Sequence, residues 1–141
     1  MTTGIASFTQ AAEQAQQWVN DLGENLGWDI HRSYRLLRSV LHALRDWLSP
    51  EEAADLAAQL PMLVRGIYFD GWNPQNAPVP DRSKPRFVER VQREMGKDTL
   101  DDPDRAIAMV FELLERHLDH GELVQVRNSM KKRLRQLWPS H

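Results

Sequence analysis

Apolar residues recur along this chain at spacings of three and four, and the stripes fit a period near 3.6 rather than an alternation. The first stripe is Phe8, Ala11, Ala12, Ala15, Trp18, Val19, Leu22 and Leu26. Ser7 is placed to cap its start, and Gly27 to end it in the left-handed conformation. A second stripe begins near Asp29 and runs through Tyr34, Leu37, Val40, Leu41, Leu44, Trp47 and Leu48. Ser49-Pro50-Glu51-Glu52 then reads as a capping box with proline in the first helical turn. Ala53, Leu56, Ala57, Leu60, Leu63, Val64 and Ile67 continue the third stripe. Pro61 lies inside it, which predicts a kink or break between Gln59 and Met62.

Prolines at 74, 78, 80 and 85 and the Asp70-Gly71-Trp72-Asn73 run make residues 70–85 a connector. A fourth helix is predicted from Lys84 or Pro85 to Met95, with Phe87, Val88, Val91 and Met95 inward and Gly96 as its stop. Asp102-Pro103 opens a fifth, carrying Ile107, Val110, Phe111, Leu113, Leu114, His117 and Leu118. Asp119 and Glu122 form a second capping-box pattern before a sixth helix with Leu123, Val126, Met130, Leu134, Leu137 and Trp138.

The order of stripes and caps repeats. At an offset of 70, Val40, Leu44 and Leu48 match Val110, Leu114 and Leu118, and Ser49 and Glu52 match Asp119 and Glu122. Tyr68 matches Trp138 in the same register. At an offset of 69, Trp18, Val19, Leu22, Leu26 and Gly27 match Phe87, Val88, Val91, Met95 and Gly96. The pattern predicts an all-α, compact six-helix bundle of two pseudo-symmetric three-helix repeats, about 8–72 and 84–138, within a single domain. Each unit alone, at about 60 residues, would bury a marginal core.

The stretch Tyr34-Arg35-Leu36-Leu37-Arg38-Ser39-Val40-Leu41-His42-Ala43-Leu44-Arg45-Asp46-Trp47-Leu48 resembles a family signature. So do Glu51-Glu52-Ala53-Ala54-Asp55-Leu56-Ala57-Ala58-Gln59-Leu60-Pro61 and Arg65-Gly66-Ile67-Tyr68-Phe69-Asp70-Gly71-Trp72. Together with Gly121-Glu122-Leu123, Val126-Arg127 and Leu134-Arg135-Gln136-Leu137-Trp138, they resemble the bacterial "domain of unknown function 2267" family, from about Trp18 to Trp138. The second half departs from the pattern at Lys131, where the family often carries proline. The resemblance implies an all-helical fold and a bacterial origin. It brings no assigned activity and so no catalytic residues.

Composition narrows the function classes. The 141 residues are 41% hydrophobic and 27% charged, as in an ordinary globular protein. A net charge of −2 argues mildly against nucleic acid as the main partner. The absence of cysteine excludes disulfides, thiolate zinc sites and a cysteine nucleophile. No membrane span and no signal peptide are visible, so a cytoplasmic location is the expectation.

Few residue groups suggest chemistry. His117, His120 and Glu122 have donor types that suit zinc, but Glu122 belongs to its cap and no third ligand is evident. No metal and no cofactor is predicted. His42 has Asp46 four residues on, as a general base would want, yet no serine elbow accompanies it. Arg35, Arg38, His42 and Arg45 make one helix face basic where the repeat has Glu112 and Glu115. That contrast reads either as two solvated faces or as a contact between halves or copies. Arg127, Lys131, Lys132, Arg133 and Arg135 make the last helix basic, as a helix C-terminus often is. Trp18, Trp47 and Trp138 fall on core stripes, whereas Tyr68, Phe69 and Trp72 could line an apolar pocket or seal a joint.

The resulting expectation is a non-enzymatic protein-interaction or self-association module. Its candidate surface is Arg35, Arg38, His42, Arg45, Tyr68, Phe69 and Trp72. A small-molecule pocket near Tyr68 and Trp72, and a weak nucleic-acid contact through the last helix, are the alternatives.

Overall fold

Helix boundaries follow the capping residues. In the computed structural model, which describes residues 4–118 and 124–139, α1 is Ala6–Leu26 and ends on Gly27 at φ 73°. Helix α2 is Ile30–Trp47, and the Asp29 carboxylate accepts from the Arg32 N–H at its start. Ser49 and Glu52 form the reciprocal capping box of α3, Pro50–Ala57. Helix α4 is Met62–Phe69, and a 3-10 turn at Pro74–Asn76 follows it in the connector. Helix α5 is Lys84–Met95 and ends on Gly96 at φ 71°. Helix α6 is Pro103–Leu118, with the Asp102 side chain accepting from the Arg105 N–H. The last helix, α7, is Val124–Leu137.

The described residues therefore form seven α-helices and no strand, one helix more than the six predicted. The third stripe is not one kinked helix but two. Proline at 61 supplies no N–H and disfavours helical dihedrals at Leu60, so the chain leaves the helix after Ala57 and re-enters at Met62. Arg65 repairs the break, its guanidinium donating to the carbonyls of Ala57 at 2.9 Å and Leu60 at 3.0 Å.

Three smaller expectations also change. Helix α1 begins before Ser7, because the Ile5 carbonyl already accepts from Phe8 and Thr9; Ser7 lies inside the first turn and does not cap it. The start of that stripe is not core: Phe8 is 67% exposed, and burial begins at Ala15. Tyr34 and Leu63 likewise face outward at the edge of their stripes. The Asp119–Glu122 capping pattern lies outside the described residues.

Helix α2 is the axis of the bundle. It packs against α1, α3, α4, α5 and α6, while α7 closes over α3 and α6. Because neighbours surround it, α2 is buried over a wider arc than its stripe predicted, taking in Ser33, Leu36, Ser39, His42 and Arg45. Leu36, Leu37, Val40, Leu41, Leu44 and Leu48 are completely buried, each worth roughly 1.5–3 kcal/mol of transfer free energy. At the α1–α2 corner Gly23 is required for a close approach. A Cβ there would meet Ser33 Oγ at 2.9 Å and the Trp28 carbonyl at 3.0 Å. Phe87, Phe111 and Trp138 form an aromatic cluster joining α5, α6 and the end of α7.

Candidate functional site

Helix α4 is eight residues long and ends beside the basic face of α2. Its last carbonyls lack i+4 donors within the helix, and side chains of α2 reach two of them beside the turn that follows. His42 Nε2 lies 2.8 Å from the Ile67 carbonyl oxygen. Arg45 Nη1 donates to the Tyr68 carbonyl at 3.0 Å and also to the Asp70 carbonyl. Arg38 closes the end with a 2.8 Å ion pair to the Asp70 carboxylate. Positive groups also suit the negative pole of the α4 dipole.

On its other side, this face meets α5. His42 Nδ1 lies 2.9 Å from the Glu94 carboxylate. Arg90 donates to the same carboxylate at 3.0 Å and approaches Asp46 at 3.7 Å. One turn away, Arg32 and Arg35 converge on Asp98 just past Gly96, at 2.9 and 3.0 Å. The Glu94 carboxylate and the Ile67 carbonyl thus engage both nitrogens of the His42 ring. His42 is 3% exposed and Arg45 5%, so neither is available as a surface group.

Arg38, His42 and Arg45 are thus brought together as predicted, and Arg35 sits at their edge. Their pairing is the contact between halves that one reading of the basic stripe allowed, although the acidic partners are different ones. The pairing does join the halves of the chain, but through Glu94 and Asp98, not through Glu112 and Glu115. Glu115 instead takes Arg135 of α7 at 2.7 Å. The Arg90–Glu94 pair carried a legible signal in its i,i+4 spacing. Asp70 and Asp98 lie in turns and carried none.

Tyr68, Phe69 and Trp72 stack in sequence, with ring centroids 5.0 and 4.9 Å apart. Tyr68 is fully buried, and its hydroxyl donates to the Ala53 carbonyl at 3.0 Å. Phe69 and Trp72 are half-buried against the core. The Trp72 indole N–H is buried with no hydrogen-bond partner among the described residues. His117 of the sequence-level metal group stacks on Trp18 at 4.1 Å, and His120 and Glu122 lie outside the described residues. No group of three metal-ligand side chains occurs among the described residues. The basic α7 is tied inward at Arg133, which pairs with Glu52 at 2.7 Å. No described helix is long and apolar enough to cross a membrane.

The α2–α5 seam opens into a cleft of about 300 Å³ that sequence reasoning missed. Its apolar lining is Val79 and Pro80 of the connector over Ala43, Trp47 and Phe87, the last three almost fully buried and the Trp47 and Phe87 rings 4.7 Å apart. The connector forms one wall, anchored where the Val79 N–H donates to the Asp46 carbonyl at 2.9 Å. Arg86, Arg90 and Arg93 of α5 stand on the rim with Asp46, Asp81 and Glu89. Only folding the connector back on α2 creates this feature, and no local pattern announces such a return.

The carboxylates of the seam set its pH response. Burial would raise the Glu94 carboxyl, but hydrogen bonds from His42 and Arg90 outweigh it and hold the group below its ordinary value of 4.5. The Arg32 hydrogen bond, against partial burial and with help from Arg35, holds Asp98 below its ordinary 3.8. A carboxylate depressed in the folded state adds stability that is complete above its unfolded pKa and lost as pH falls through its folded one. The stability these two carboxylates contribute should therefore be complete above about pH 4.5, and the denaturant midpoint should fall as pH drops below it. Glu94→Gln should flatten that acid limb; an unchanged limb would remove Glu94 from it.

No curated protein matches the chain. A family model described as an uncharacterized conserved protein, DUF2267, matches residues 15–137. That span takes in the α2 face, the α4 end it caps and the α5 carboxylates, and the chain belongs to the DUF2267 family.

Proposed function

We propose that this domain is a non-enzymatic protein-interaction module and that its working surface is the cleft between α2, α5 and the connector. The observation that supports this reading is the cleft itself, a concavity of about 300 Å³ whose rim carries the exposed Arg86, Glu89 and Arg93 beside a seam in which Arg38, His42 and Arg45 are engaged internally. His42 resembles a general base in its carboxylate pairing, but its second nitrogen is engaged by the Ile67 carbonyl. Arg38 and Arg45 are engaged by α4 in the same way.

The test is site-specific photo-crosslinking in the host cell. A photoreactive residue replacing Glu89 on the rim should give a discrete adduct with a partner or with a second copy. The same residue replacing exposed Gln16 on α1 should give none. No adduct at the rim, or the same adduct at both positions, would sink the proposal.

The same reading includes the duplication. The left-handed Gly27 and Gly96 close α1 and α5 at equivalent points, and both halves place an acidic cap before the following long helix. Expressed apart, the units 8–72 and 84–138 should each show weak helicity and regain it on mixing. Circular dichroism that is additive on mixing would count against two mutually dependent repeats.

A further inference from the structure

Charge is unevenly placed along the chain. Residues 124–139 carry five Lys and Arg and no Asp or Glu, which leaves thirteen cations against all twenty acids elsewhere. The net charge of −2 conceals this segregation. Within the fold, Glu52 of α3 reaches Arg133, and Glu115 of α6 reaches Arg135. Neither pairing hides the helix. Arg135 stays 64% exposed in its ion pair, and Asn128, Lys132 and Gln136 are exposed as well. The outward side of α7 lines a shallow hollow with Asn128, Lys131, Lys132, Arg135 and Gln136. A second hollow takes in Arg82, Lys84, Arg133 and Gln136. No carboxylate lines either one among the described residues. They meet at Gln136, so they form one band from α7 to the start of α5. Asp104 approaches its edge, 3.8 Å from Lys84, and the band stays positive as a whole.

We infer that this band binds the phosphodiester backbone of a nucleic-acid duplex without reading its sequence. It is a second surface, sharing only Trp47 with the lining of the cleft, and stands or falls apart from the interaction reading. Asn128 to Gln136 covers about 12 Å of helix, and Lys131 and Arg135 stand about 6 Å apart along it. A duplex carries one negative charge per roughly 1.7 Å of its axis, so several phosphates fall within that reach. The alternatives fit less well. Every cation of the band is at least partly exposed, so none encloses a single small anion. A helix lying on a membrane inserts an apolar face, but Met130, Leu134 and Leu137 of α7 are buried in the bundle. Single strands are held largely by stacking on aromatic rings, and Trp47 and Trp138 beside the band are buried.

The test is fluorescence anisotropy of a labelled 20-base-pair duplex of mixed sequence, titrated with the full chain at several salt concentrations. Binding at 50 mM salt should weaken at least tenfold by 200 mM, because about three phosphate contacts release their counterions. Two changes on the exposed side of α7 should act in opposite directions. Lys132→Glu should weaken binding at least fivefold and flatten the salt slope by about one. Gln136→Lys should tighten binding at least twofold and steepen the slope, which a misfolded variant would not do. Arg93→Glu, on α5 and outside the band, should change affinity less than twofold. A duplex of different sequence should bind equally well. No binding at 50 mM salt, binding indifferent to salt, or an equal loss at positions 93 and 132 would overturn the inference. Tighter binding to vesicles containing phosphatidylserine, or to polyglutamate, would give the band to a membrane or an acidic protein and overturn it too. So would a single strand that binds more tightly than the duplex.

Discussion

Tyr68→Ala will lower the unfolding free energy by about 3–5 kcal/mol, the usual cost of deleting a fully buried aromatic ring. Tyr68 has no exposed surface and sits among α1, α2 and α4. Its removal leaves a cavity and also takes a donor from the Ala53 carbonyl of α3. Tyr68→Phe isolates the second effect, because the ring stays and only the hydroxyl goes. It should cost about 0.5–1.5 kcal/mol, the net worth of one buried hydrogen bond, because the Ala53 carbonyl lies within α3 and keeps its helical donor. Burial also pushes the phenol far above the usual tyrosine range, so near-ultraviolet titration should find it silent until the protein unfolds. Guanidinium unfolding of the three proteins measures both steps. A loss below about 1 kcal/mol for Tyr68→Ala would mean the ring is not in the core and would reopen it as a ligand contact.

Arg45→Met is the second large effect, at about 2–4 kcal/mol, even though methionine keeps much of the apolar stem. The guanidinium is the donor for the Tyr68 and Asp70 carbonyls, and these are left at the end of a helix with nothing to replace it. Arg45→Lys should recover only part of the loss, since one ammonium on a flexible stem cannot reproduce a planar fork. Hydrogen exchange should show the change first at α4 amides. Arg35→Ala is the contrast. Its side chain is 47% exposed and shares Asp98 with Arg32, so its loss should cost no more than about 1 kcal/mol. Equal losses at 35 and 45 would contradict the division of the basic stripe into buried caps and a surface pair.

Much of this framework was legible because its causes are local. Asp29, Ser49 with Glu52, Gly27, Gly96 and Asp102 each act within a few residues of themselves. The stripes of α2 and α6 needed only their own period. What escaped was everything settled by distant partners. The basic groups of α2 could be read as solvent-facing because the groups that hold them lie 23–66 residues away in sequence. Pro61 was recognised as an interruption, but whether a helix bends or stops there depends on a donor such as Arg65 reaching the loosened carbonyls. The cleft was invisible for the same reason, since its connector wall is fixed by one backbone bond from Val79 to Asp46.

The shortness of α4 has its own consequence. An isolated helix of eight residues does not persist in water, because too few bonds follow its costly first turn. Its existence is conditional on the α2 donors at its C-terminus and on Arg65 bridging back to α3. It should therefore melt as a local unit before the rest of the bundle, at a free energy below that of global unfolding. The seam that keeps it folded includes Asp46 and Arg90, which also stand on the cleft rim. A change in the ion pairs of that rim should therefore be read first in the exchange of α4 amides, ahead of any global unfolding.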